Sequence, residues 1–138
     1  MSKKLFHGSC HCGKIKYQVN IDLAQGSGKC NCTFCFKNSF WSYKVTTEDF
    51  EWISGQDTST KYSNNPMIGD YIFCNVCGTI PFGITKDSEW TKAGASIRLV
   101  TLDDISTAEL NSIPITYTNG RDNTWSIITD PEIIKIMY

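Results

Sequence analysis

The segment SCHCG, residues 9–13, sets Cys10 and Cys12 one residue apart and follows them with Gly13, and FCNVCGT, residues 73–79, repeats the arrangement with Cys74, Cys77 and Gly78. Thiols two or three positions apart reach one metal ion from a tight turn. A glycine after the second thiol lets the chain curl so that backbone amides approach sulfur. Between the two segments lies KCNCTFCFKN, residues 29–38, with Cys30, Cys32 and Cys35. All seven cysteines therefore fall into three local units of two, three and two.

Ligand arithmetic gives these units different work. If each unit stays whole, a closed tetrahedral site needs Cys10 and Cys12 to join Cys74 and Cys77. Cys30, Cys32 and Cys35 then form a set of three, and three protein ligands with an open position are the mark of a catalytic zinc, whereas a structural zinc takes four. Two alternatives stand beside this arrangement. Cys74 and Cys77 could act as a redox pair. The triplet could be a second structural site, completed by His7, His11 or a carboxylate.

Around the cysteines the chain reads as mostly β. KIKYQVNI (14–21) alternates Ile15, Tyr17, Val19 and Ile21 on one face, the pattern of a half-buried strand. FWSYKV, YIFC, TIPFGI, SIRLV and ITYT are short, β-branched or aromatic, and bounded by SGQD, SNNPMIGD and TNGRDN. Helical pattern is confined to one turn at TTEDF, a capped segment at STAELNS (106–112) and an ambiguous PEIIKIM near the end.

A length of 138 residues predicts one zinc-binding domain spanning 1–138, without repeats or linkers. Thirteen basic against fourteen acidic residues leave a formal charge of −1, which argues against nucleic acid as a partner. No apolar run approaches the roughly 20 residues that span a bilayer, so no membrane partner is expected. MSKKLFHGSC has no apolar stretch behind its lysines, which predicts a soluble, cytoplasmic protein. With an odd number of thiols and a reducing compartment, metal or redox chemistry is favoured over a disulfide framework.

GSCHCG (8–13), the CxCxxC triplet, FEWISG (50–55), FCNVCGT (73–79) and LVTLDD (99–104) together resemble the glutathione-dependent formaldehyde-activating enzyme family, over a span from Gly8 to about Trp125. The resemblance implies a compact β fold of small sheets, tent-like, with short helices. It implies a structural zinc on Cys10, Cys12, Cys74 and Cys77. It also implies a second, catalytic zinc on Cys30, Cys32 and Cys35, where a small-molecule thiol, glutathione, would bind. The implied activity is that of a carbon–sulfur lyase, joining formaldehyde and glutathione as S-hydroxymethylglutathione. Competing classes are a non-enzymatic zinc-binding module and a thiol redox sensor whose triplet loses zinc and forms a disulfide.

The family's triplet often carries His after the first Cys and a basic residue after the last; here Asn31 and Phe36 occupy those positions. Lys37, Lys44 and Arg98 are candidates, by residue type alone, for binding the carboxylates of such a thiol. Phe34, Phe36, Phe40, Trp41 and Phe82 would line either a pocket or the core. Asp103 and Asp104 are expected to form a turn and not an acid–base pair.

Overall fold

A computed structural model describes residues 2–138. The order of elements is β1 (Lys4–Ser9), β2 (Lys16–Ile21), β3 (Ser27–Cys30), α1 (Thr33–Asn38), β4 (Trp41–Thr46), β5 (Phe50–Ser54), β6 (Ser59–Asn65), β7 (Gly69–Cys74), β8 (Phe82–Thr85), β9 (Gly94–Arg98), α2 (Thr107–Ser112), β10 (Ile115–Thr118) and α3 (Pro131–Ile134). The chain is mostly β, with short strands and helices of only four to six residues.

Two sheets hold the strands. One has the order β1-β2-β5; the other runs β10-β3-β4-β9-β8-β7-β6. All pairings are antiparallel except β10 with β3. The alternation of Tyr17, Val19 and Ile21 points those residues into the core, where they meet Ile72, Phe82, Ile97 and Leu99 of the larger sheet and its extension. Aromatic packing joins the sheets: Phe82 lies edge-on to Phe50, Trp52 and Tyr17 at 4.9, 5.2 and 5.3 Å between ring centroids. Edge-to-face placement suits the charge distribution of the rings.

Tyr17 shows why one glycine is needed. Its hydroxyl shares a 2.8 Å hydrogen bond with Thr101 inside the core, and a Cβ on Gly8 would come within 2.4 Å of that oxygen. Only a residue without a side chain allows β1 to pass over the ring.

The strands expected at 14–21, FWSYKV, YIFC, TIPFGI and ITYT are present as β2, β4, β7, β8 and β10. SIRLV divides: Ser96 to Arg98 finish β9, and Leu99–Thr101 turn into a 3-10 helix. STAELNS is α2, closed by a reciprocal capping box between Ser106 and Glu109. TTEDF is a single 3-10 turn, and PEIIKIM begins with α3. Strands β1, β3, β5 and β6 and helix α1 had no clear signal of their own. β6 is an exposed polar edge strand and α1 has no buried residue, so neither shows an apolar periodicity.

Candidate metal centres

The four cysteines of the paired units converge at one end of the core. Cys10 and Cys12 follow β1, Cys74 ends β7, and Cys77 lies in the loop before β8. Their four Sγ atoms all lie within 4.8 Å of one another. Cys12 Sγ is 3.6 Å from both Cys10 Sγ and Cys74 Sγ. Four sulfurs about 2.3 Å from a tetrahedral zinc stand about 3.8 Å apart, so this donor set fits that ion.

Both chain segments form the same kind of turn around sulfur. Gly13 and Gly78 adopt φ of 82° and 80°, and their amides donate to the carbonyls of Cys10 and Cys74 at 3.0 and 2.8 Å. The amide of Ile15 points at Cys10 Sγ at 3.3 Å, and those of Val76 and Cys77 at Cys74 Sγ at 3.4 and 3.5 Å. These donors favour thiolate over thiol. Burial opposes ionisation of Cys77, yet the amides of Thr79 and Cys12 hold its thiol down to about 5.

The triplet is built differently. Cys30 ends β3, and Cys32 is the N-cap of α1, its Sγ accepting the amide of Cys35 at 3.4 Å. Cys30 Sγ accepts the amide of Cys32 at 3.3 Å. The three sulfurs lie within 4.8 Å of one another, all partly exposed, and among the described residues no histidine or carboxylate joins them. Hydrogen bonds from the Cys30 and Cys35 thiols hold Cys32 far below the ordinary thiol range, while the same bonds and burial push Cys35 up. The set therefore suits a cation with one coordination position left over.

His7 and His11 take no part in the triplet. The His7 ring pairs with Asp104 at 2.8 Å on the smaller sheet, and His11 is exposed. Asp103 accepts the Ser9 hydroxyl at 2.7 Å, so the two aspartates anchor β1 to a turn, as expected.

Of the aromatic candidates, Phe82 and Phe40 are core residues, 0% and 2% exposed. Phe34 stacks on Tyr71 at 4.0 Å and clamps α1 to the β6–β7 hairpin. Lys37 is an exposed residue in the last turn of α1, and Arg98 donates from Nη2 to the Asn38 carbonyl at 3.0 Å while its buried Nε has no hydrogen-bond partner among the described residues. Lys44 stands apart: it lines a groove of about 420 Å³ that reaches Cys30.

The residues that enclose the triplet from the other side come from the end of the chain. Gly120 passes so close that a Cβ there would lie 2.6 Å from Cys30 Sγ and 3.0 Å from Cys32 Cβ. Arg121 donates from its amide to Asn31 Oδ1 at 3.0 Å and from Nε to the Asn31 carbonyl at 2.9 Å, and its guanidinium sits 5.2 Å over the Phe36 ring. The Tyr138 hydroxyl accepts the Cys30 amide at 3.1 Å and donates to the Cys30 carbonyl at 2.9 Å. Lys29 Nζ donates to the Tyr138 carbonyl and lies over the Trp41 and Tyr138 rings. Gly120, Arg121 and Tyr138 lie about ninety to 108 positions from the triplet and carry no spacing signal in the sequence.

A mostly β fold bearing one cluster of four thiols and one of three, each able to hold a metal ion, defines a small β protein with two candidate metal centres. The sequence pattern described as "Glutathione-dependent formaldehyde-activating enzyme" matches residues 5–119, and the chain belongs to that family. Among solved structures, a Rhodobacter sphaeroides protein has a similar fold, with a TM-score of 0.65 and 20% identity, over 80% of this chain and 99% of that one.

No helix is long and apolar enough to cross a membrane among the described residues.

Proposed function

We propose that this chain is a zinc-dependent carbon–sulfur lyase, a single cytoplasmic domain that forms or cleaves the adduct of an aldehyde with a small-molecule thiol, with formaldehyde and glutathione as the pair. The observation that supports it most directly is the asymmetry of the two thiol clusters, one of four ligands at the end of the core, with Cys10 and Cys74 buried, and the other limited to three at a groove. Cys10, Cys12, Cys74 and Cys77 would hold the structural ion. Cys30, Cys32 and Cys35 would hold the catalytic one.

A zinc ion on the triplet would supply a positive centre that lowers the pKa of a thiol at its open position. The glutathione sulfur then attacks the formaldehyde carbon, a C–S bond forms as the carbonyl π pair moves to oxygen, and that oxygen takes up one proton in place of the one the thiol lost. In reverse the hydroxyl is deprotonated and the C–S bond breaks. The chain's part is to keep the three sulfurs in place through the amides of Cys32 and Cys35, and to hold β3 through Tyr138. Lys29 lies over the Tyr138 ring and Arg121 over the Phe36 ring, and three thiolates would make the cluster electron-rich. Such a site favours binding a thiol over activating water.

The test is exchange NMR of glutathione with formaldehyde, using protein of measured zinc content. The two compounds combine spontaneously, so only exchange faster than background counts. Wild-type protein should accelerate it and the Cys32→Ser variant should not. Background exchange from protein holding two zinc ions per chain would rule out the formaldehyde reaction.

A further inference from the structure

A second cavity, lined by no cysteine, lies beside the loop that joins β8 to β9. Its volume is about 410 Å³, within the range of small-molecule sites. Both sheets contribute to its lining. The larger supplies Tyr43, Val45 and Ala95, of which Val45 and Ala95 are cross-strand partners and Tyr43 and Ala95 are buried; the smaller supplies Asn20. The cavity therefore reaches down to the edge of the core.

Charge on the lining is one-sided. Lys3, Lys44 and Lys92 stand against a single carboxylate, that of Asp49, which Lys3 already holds at 2.7 Å. Lys44 and Lys92 are exposed, and among the described residues neither ammonium group has an ion-pair partner. One unpaired surface lysine is ordinary. Two around one cavity, in a chain whose formal charge is −1, concentrate positive potential there.

The same cavity is lined by Trp90, which is 59% exposed. Its exposure does not come from a loose loop. Ser88 Oγ accepts the amides of Trp90 and Thr91 at 3.1 and 3.0 Å, and the Thr91 hydroxyl donates to the Lys86 carbonyl at 2.6 Å. The Ala93 amide donates to Asp87 Oδ1 at 2.9 Å, and the Thr85 hydroxyl donates to the Lys92 carbonyl at 2.8 Å. The backbone that carries Trp90 and Lys92 is thus braced from 85 to 93. An indole kept in water on a braced loop is free to stack on a flat partner.

We infer that this cavity binds a small phosphate monoester carrying a flat ring, of the nucleoside monophosphate type, with its ring on Trp90 and its phosphate on Lys44 and Lys92. Two unpaired ammonium groups match the nearly two negative charges of a phosphate monoester, where a carboxylate brings only one. None of the lining residues is a thiol, so binding here requires neither metal centre nor the proposed reaction.

The test is isothermal titration calorimetry of the zinc-loaded protein with adenosine 5′-monophosphate, adenosine, inorganic phosphate and benzoate. Wild type should bind the nucleotide more tightly than any of the other three. Trp90→Ala should weaken the nucleotide about tenfold, the loss of one stacked base, and leave inorganic phosphate unchanged. Lys92→Gln should weaken the nucleotide and phosphate but not adenosine, and added salt should shrink that difference. Both side chains are exposed, so both variants should melt with wild type; Lys44→Gln, exposed on β4, gives the charge readout from a second element if a loop variant does not fold. No heat with the nucleotide at millimolar concentration, or nucleotide affinity unchanged in a folded variant, would overturn the site. Benzoate binding more tightly than the nucleotide would overturn its assignment to a phosphate.

Discussion

Gly120 is the residue on which the open centre depends most directly. Its backbone lies against Cys30, and a methyl group would fall 2.6 Å from the sulfur, well inside contact distance. Gly120→Ala must therefore push either the 119–126 turn or Cys30 away. The expected result is a fall in zinc content from two ions per chain toward one, with the four-cysteine site retained, as read by metal analysis after dialysis against a weak chelator. The sequence showed this glycine only as part of TNGRDN, a turn signal. Its place against a sulfur depends on the parallel pairing of β10 with β3, which sets Thr118 beside Cys30. By contrast, Gly13 and Gly78 could be read locally, because the φ they need follows from the thiol beside them in sequence.

Among the elements, the segment after β10 acts as a cover for the triplet. It turns back at 119–126, where Asn119 donates to the Ser126 carbonyl at 2.9 Å, and continues through α3 to bury Met137 and seat Tyr138. The Tyr138 hydroxyl bridges β3 and the residue before β4, its one proton within reach of the carbonyls of Cys30 and Phe40 at 2.9 and 3.2 Å. Tyr138→Phe would leave the Cys30 amide without this acceptor. A hydrogen bond of this kind contributes roughly 0.5–1.5 kcal/mol, so metal affinity at the triplet should fall about two- to tenfold. Competition with a chromophoric chelator measures this directly; an unchanged release curve would show that β3 needs no such brace. PEIIKIM was ambiguous in sequence because its anchor is a single buried methionine and one tyrosine, too few to set a period.

Across the whole molecule, the two centres should respond differently to loss of a ligand. The four-cysteine site ties the end of β1 to the end of β7, joining the smaller sheet to the larger. Structural zinc sites supply on the order of 10 kcal/mol of apparent folding free energy. Cys10→Ser and Cys77→Ser should therefore lower the melting temperature sharply and impair folding. Cys32→Ser, at the partly exposed triplet, should lose its ion with a much smaller change in Tm. Calorimetry with parallel zinc analysis separates the cases, and equal melting of all three variants would refute the division into structural and open sites. The sequence by itself determined the β class, the strands with clean alternation such as 16–21, and the grouping of the seven thiols, since turns, period-two burial and knuckle spacing are local matters. Only the tertiary structure decided what surrounds the triplet. Gly120, Arg121 and Tyr138 are brought there by sheet order and strand register, which arise from packing between segments as much as ninety or a hundred residues apart and leave no periodic trace in either segment.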